Sequence, residues 1–149
     1  TLTSRLIGEN RQNEVLPMVW KVVRFAAISI LPVLSLCYIF PETVLSIYSN
    51  NHSLILDAVP SLYIIGIAAF SYCFGISWFE AVSGTGNTVH ALWIEAGVLF
   101  VYILQVLLLA GILVVAVHWV WTVEITYGVL MGIISALYMF YYKWQQKKL

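Results

Sequence analysis

The sequence predicts an all-α, polytopic membrane protein with four transmembrane helices. Three observations carry the prediction. Of the 149 residues, 62% are hydrophobic. Only 9% are charged, against about 25% in an ordinary soluble domain. The few charges divide the chain into four apolar stretches, each near the ~20 residues that a helix needs to cross a hydrocarbon core. A mean hydropathy of +0.93 agrees, and the expected solvent is the lipid bilayer. The formal net charge is zero, and no basic block interleaves with aromatics, so nucleic acid is not an expected partner. Cys37 and Cys73 lie inside apolar runs and form no CxxC pair. They read as small core residues rather than as a redox motif, a zinc knuckle or a disulfide framework. The chain starts at Thr1 with no short cleavable apolar segment, so no signal peptide is subtracted and a truncated N-terminus is expected.

Span one covers residues 18–40, with Lys21 and Arg24 near its start, where long basic side chains snorkel to the interface. Pro32 lies midway and predicts a kink, because its ring removes a backbone hydrogen bond. In the following connection a polar turn, Asn50-Asn51-His52-Ser53, separates two apolar stretches, and a short interfacial helix is expected there. Span two covers 59–80 and is opened by Pro60, whose missing N–H is harmless in a first helical turn. Span three covers 91–117. Span four covers 124–143, with Trp119 and Trp121 before it and Tyr141, Tyr142 and Trp144 at its end, as an interfacial aromatic belt requires.

The basic residues test this division. Arg5, Arg11, Lys21 and Arg24 precede or begin span one, and Lys143, Lys147 and Lys148 follow span four. The connections 41–59, 82–90 and 118–122 contain no Lys or Arg. Because Lys and Arg concentrate on the cytoplasmic side, an even number of crossings puts all of them inside, whereas three or five crossings would split the two clusters. Both chain ends are therefore expected to be cytoplasmic.

The most distinctive local string is Ser83-Gly84-Thr85-Gly86-Asn87-Thr88, in the turn between spans two and three. It lacks a preceding strand and the Lys of a P-loop, so a tight helix–helix turn with Asn87 or Thr88 capping span three outweighs phosphate binding. Glu80 and Glu95 are the acidic candidates. Each lies ~6 Å inside the cytoplasmic interface at 1.5 Å per residue, so the two share one layer. Facing one another, they would have at least one raised pKa, as a proton carrier needs. That each instead reaches interfacial water or a helix end slightly outweighs such a coupling role. Glu80 ends a stripe of small or polar residues, Gly66, Ala69, Cys73 and Ser77, whose spacing puts them on one face. Close helix packing outweighs a substrate lane there, and packing is also the default for Gly128, Gly132 and Ala136 of span four. His52, His90 and His118 lack HExxH spacing and read as belt residues. For Gln105 and Glu124, an interhelical hydrogen bond and an interfacial carboxylate outweigh a polar path. No nucleophile–base pair, metal-ligand set or cofactor motif stands out.

Three strings together resemble the C-terminal lobe of the multidrug and toxic compound extrusion (MATE) transporters. They are Ser4-Arg5-Leu6-Ile7-Gly8-Glu9-Asn10-Arg11, then Phe79-Glu80-Ala81-Val82-Ser83-Gly84-Thr85-Gly86-Asn87-Thr88, then Trp121-Thr122-Val123-Glu124-Ile125-Thr126-Tyr127. The middle string, similar to the family's Gly-Thr-Gly-Asp/Asn-Thr turn, is the most specific. The resemblance covers the whole chain and implies that its spans are helices nine to twelve of a twelve-helix transporter, part of the C-terminal six-helix lobe. It further implies export of cationic or amphipathic small molecules in exchange for sodium ions or protons, with no other cofactor. The remaining helices of the same polypeptide would be the protein partners. In one branch of the family a cation-site aspartate sits twelve positions before the glycine matching Gly84; here that position is Tyr72. Coupling is then left to Glu80 and Glu95 or to residues outside this chain, with Tyr72, Cys73 and Ser77 as the candidate cavity face. The chain is thus expected to be a transporter and not an enzyme. The alternatives are a non-catalytic membrane subunit packing through Gly128 and Gly132 or, with less support from spacing, a membrane-embedded enzyme.

Overall fold

The computed structural model describes residues 2–142 and Trp144. Every regular element among them is helical, with no strand. Four stretches are long and apolar enough to cross a membrane: Gln12–Ile39, His52–Gly84, Thr88–Ile112 and Val117–Tyr141. Lys143, Lys147 and Lys148, and with them the last residue of span four and the C-terminal half of the charge argument, lie outside the described residues.

Helix α1 (Leu2–Gly8) ends where Asn10 takes a left-handed conformation, φ 57°, a region in which Asn is among the better-tolerated residues. The Arg11 guanidinium then spans Glu14 at 2.7 Å and Glu9 at 3.0 Å, and Arg5 holds Glu9 at 2.8 Å. Hydrogen bonds from Arg5 and Arg11 keep the Glu9 carboxyl below its ordinary pKa, and Glu14 and then Glu9 push the Arg11 guanidinium up. These pairs are exposed, so they orient the turn more than they stabilise it.

Helix α2 (Val15–Ile39) buries Val15, Val19 and Val23, one residue per turn on a single face. Pro32 lies inside α2, which continues as one helix through it. Helix α3 (Pro41–Ser46) is the short interfacial helix expected after span one, with Pro in its first turn. Helix α4 (His52–Gly84) begins seven residues earlier than expected. The polar turn explains the difference: Asn51 Oδ1 accepts from the Ser53 backbone N–H at 3.1 Å and from the Ser53 hydroxyl at 2.8 Å, an N-cap that starts the helix at once. Pro60 is therefore inside α4, not in its first turn.

Helix α5 (Thr88–Val106) passes into a π-helical stretch, Leu107–Ile112, and stops. Residues 113–116 make the connection, with Val114 at φ 46°, an outlier for a β-branched residue. Helix α6 (Val117–Val120) and helix α7 (Thr122–Tyr141) follow. Span three thus ends before residue 117, and its connection lies upstream of the expected 118–122.

The centre of the unit is the crossing of α4 and α7, the most extensive contact; α2 lies against α4, and α5 chiefly against α7. Gly75, Gly128, Gly132 and Ser71 line that crossing, so Gly128 and Gly132 do pack as expected. They pack inside the chain, which leaves neither for a separate partner. Gly66 plays a different part: the Tyr38 ring lies over it, stacks on Tyr63 at 5.0 Å and donates its hydroxyl to the Tyr63 carbonyl at 2.6 Å, fastening α2 to α4.

Candidate functional site

The 84–88 turn is built as a clasp. Gly86 sits at φ 76°, which glycine adopts without a Cβ penalty. The Ser4 hydroxyl donates to the Gly84 carbonyl at 3.1 Å, tying α1 to the turn. Asn87 occupies the N-cap position of α5 but makes no side-chain cap, contrary to expectation. Its amide reaches across instead and donates to the Tyr138 hydroxyl of α7 at 2.9 Å. Tyr138 stacks on Tyr142 at 4.8 Å, and His90 lies 5.5 and 4.8 Å from the two rings. The string therefore joins four elements. Asn87→Ala is expected to cost about 1 kcal/mol, the net worth of one such bond, and to speed amide exchange at residues 86–91. In a double-mutant cycle Tyr138→Phe should add little to it; full additivity would show that the two side chains do not interact.

Glu80 and Glu95 are both exposed, and neither makes a hydrogen bond or ion pair with a described residue. They open into different grooves. Glu80 lines one of about 130 Å³ with Leu2 and Thr3 of α1, Met18, Val19 and Val22 of α2, and Ser77 and Ala81. Glu95 lines another of about 430 Å³ with Phe79, Ser83, Thr88, Ala91 and Leu92. Because α5 starts at Thr88 and not at 91, Glu95 lies seven residues in, ~10 Å from that helix end, while Glu80 is four residues, ~6 Å, from the end of α4. The single layer expected for them becomes two, about one turn apart.

The expected cavity face also divides. Ser77 donates its hydroxyl to the Cys73 carbonyl at 2.7 Å, and Cys73 lines an apolar groove with Val23, Ala27 and Phe74. Tyr72, about 100° further round the helix, turns toward α7 and stacks on Tyr127 at 6.4 Å. Tyr102 of α5 meets Tyr127 edge-on at 5.8 Å and donates its hydroxyl to Glu124 Oε1 at 2.8 Å. Tyr72 and Glu124 border one groove of about 340 Å³ with Ile65, Ala68, Ala69 and Trp121. The sequence marks Tyr72 and Glu124 separately, holds Tyr127 only as the end of a string that carries the resemblance, and gives Tyr102 no mark. The only available signal was a tyrosine in each of three apolar spans. Gln105 does not make the expected interhelical bond; its carbonyl oxygen is buried with no partner among the described residues.

No family model, curated protein or solved structure matches this chain. The geometry alone then carries the chemistry. The three histidines stand apart: His52 is 3.9 Å from Glu42, His118 lies beside Trp119, and His90 sits on the tyrosines. Among the described residues no three His, Cys, Asp or Glu side chains gather as metal ligands. What the arrangement offers is carboxylates and phenols set into apolar helices, which suits binding a cation within a membrane.

Proposed function

We propose that these helices belong to a secondary active antiporter of the MATE kind, exporting cationic or amphipathic compounds in exchange for sodium ions or protons. They form part of the wall of a central cavity in its C-terminal lobe. The observation that carries the reading is the exposure of Glu80 and Glu95, unpaired, on helices apolar enough to span a membrane. An acidic side chain deep in lipid costs about 2.5–3.5 kcal/mol on insertion scales, so these two belong against water in a cavity or against further helices of the same polypeptide. Gly97 and Gly111 have no atom within 4 Å of a Cβ position, which leaves open faces on α5 and its π-helical extension for such helices. The Gly84–Thr88 string supports the family. Four spans put both chain ends on one side, the cytoplasmic side of a bacterial inner membrane in this reading. Tyr72, a neutral phenol, does not balance the charge of a sodium ion, so coupling falls to Glu80 or Glu95 or to residues outside this chain.

Ethidium efflux tests the reading in cells expressing the whole polypeptide that carries these helices, under imposed sodium and pH gradients. Gradient-driven efflux is expected, and Glu80→Gln or Glu95→Gln should lower it by about ten-fold or more at unchanged expression, since a Gln cannot exchange a proton or neutralise an ion. Absence of efflux from a well-expressed protein would sink export. Full activity in both variants would move coupling to other helices and make these two acids structural.

A further inference from the structure

Among the described residues the basic side chains divide in two. Arg5 and Arg11 are held by Glu9 and Glu14. Lys21 and Arg24, both exposed on α2, make no hydrogen bond or ion pair with a described residue. Lys21 feels the field of Glu14, but Arg11 already occupies both Glu14 oxygens, at 2.8 and 2.7 Å. Lys21 and Arg24 share one face of α2 with Phe25, Ile28, Leu31 and Ile39, all of them exposed, Phe25 by 75%. That face lies opposite Val15, Val19 and Val23, which α2 buries in the bundle. We propose that it is a binding site for an anionic phospholipid, with Lys21 and Arg24 on the headgroup phosphate and the apolar residues along an acyl chain. The proposal rests on the four spans and not on the export reading.

Depth, charge and bulk select this occupant. A hydrocarbon core of about 30 Å takes ~20 helical residues; counted from Ile39, where α2 ends, it reaches Trp20. Lys21 and Arg24 then lie within ~6 Å of the core boundary, on the side that carries α1, a depth from which long basic side chains reach the phosphate layer. Trp20, 43% exposed, stands at the same boundary, where membrane proteins concentrate Trp. Two positive charges on a helix without an acidic residue favour a headgroup of net negative charge over a zwitterionic one, and the Arg24 fork matches phosphate oxygens. Free phosphate would leave the apolar face uncovered. A further helix of the same polypeptide is the rival cover, but membrane helices meet through small residues. This face is made of large ones, and Ala26 and Ala27 lie off it. Its one hydroxyl, Ser35, is satisfied by donating to the Leu31 carbonyl at 2.8 Å, so it seeks no partner on another helix.

The test is photolabelling of the purified whole protein in nanodiscs, mapped by peptide mass spectrometry. The probes are phosphatidylglycerol and phosphatidylcholine with the same diazirine-bearing acyl chain, so they differ only in the headgroup. The ratio of the two labels on residues 25–39 of α2 is compared with that on the exposed, uncharged residues 99–107 of α5 and its π-helical extension. At about five-fold per basic side chain near the membrane surface, phosphatidylglycerol should be enriched on α2 by about 25-fold. Lys21→Gln and Arg24→Gln should each lower the enrichment about five-fold, and the double variant should bring it to the level of α5. Arg5→Gln, which removes a charge already paired with Glu9, should leave it unchanged. Equimolar glycerol phosphate should not displace the label; displacement would make the site one for phosphate and overturn the lipid assignment. Equal ratios on α2 and α5 in the folded wild type overturn the proposal and give this face to bulk lipid or to further helices. So does an enrichment that survives in the double variant. Melting curves establish folding, and the wild-type comparison decides by itself if a variant does not fold.

Discussion

Gly75→Val is expected to abolish the folded four-helix unit, seen as loss of the monodisperse peak in size-exclusion chromatography of the purified protein in mild detergent. The reason is the nature of the neighbours. A Cβ at Gly75 would overlap the Gly128 carbonyl oxygen, and a Cβ at Gly128 would lie 2.7 Å from both the Ser71 carbonyl carbon and the Tyr72 nitrogen. All of these are backbone atoms, so no rotamer change makes room and the helix axes must separate. Overpacking costs about 1–3 kcal/mol when side chains can adjust, and more when the backbone has to move. Between membrane helices no hydrophobic force replaces the lost contact, since lipid tails are as apolar as the helices. The glycines should rank accordingly. Gly75 and Gly128 come first, then Gly132, whose Cβ would meet the movable Phe74 ring. Gly97 and Gly111 come last, with open space around them; Gly97→Ala should be neutral or slightly stabilising, because Ala exceeds Gly in helix propensity by about 1 kcal/mol. A Gly75→Val protein eluting like the wild type would show that α4 and α7 do not meet here.

How much of this was legible in the sequence depends on the range of the interaction. Span number was legible because it is set by length and apolarity alone, and the charges were sparse enough to punctuate it. Helix ends were legible only where local chemistry marks them. Asn51 caps α4 within two residues, yet Pro60 was the stronger signal on paper and placed the start too late. Residues 107–117 hold no polar side chain, and Gly111, a residue type common in membrane helices, does not by itself announce the π-helical stretch or the break at Val114. The glycines told that backbones meet but not which ones: Gly66 meets a ring of α2, and Gly128 the backbone of α4. The least legible features are the bonds between distant elements. Asn87 looked like a cap from its neighbours, and its true partner, Tyr138, is 51 residues away. Tyr102 and Glu124 become a pair only once α5 lies against α7, an order that periodicity does not contain.

Trp78→Ala is expected to lower stability by about 3–5 kcal/mol, the usual cost of emptying a buried aromatic site, read as a lowered midpoint of thermal unfolding in detergent. Trp78 has no exposed surface. It sits edge-on to Trp20 of α2 at 5.4 Å and tilted against Phe140 of α7 at 5.5 Å. Its cluster holds Ile7, Val15, Val19, Val82, Ala91 and Met139, so a single side chain of α4 touches the packing of α1, α2, α5 and α7. Trp78→Phe should cost less for two reasons. It keeps a ring in the same space, and it removes an indole N–H that is buried with no partner among the described residues, a group whose desolvation opposes folding by about 1–3 kcal/mol. Trp93, 73% exposed on α5, is the control: Trp93→Ala should leave the midpoint nearly unchanged. If Trp78→Ala were equally silent, the α1 end would not be a packed core. The position matters beyond stability, because Glu80 is two residues further along α4 and Val82 of the same cluster precedes the clasp at Gly84. Loosening Trp78 should therefore also loosen the Glu80 groove and the turn, and amide exchange at residues 80–88 should accelerate in Trp78→Ala but not in Trp93→Ala.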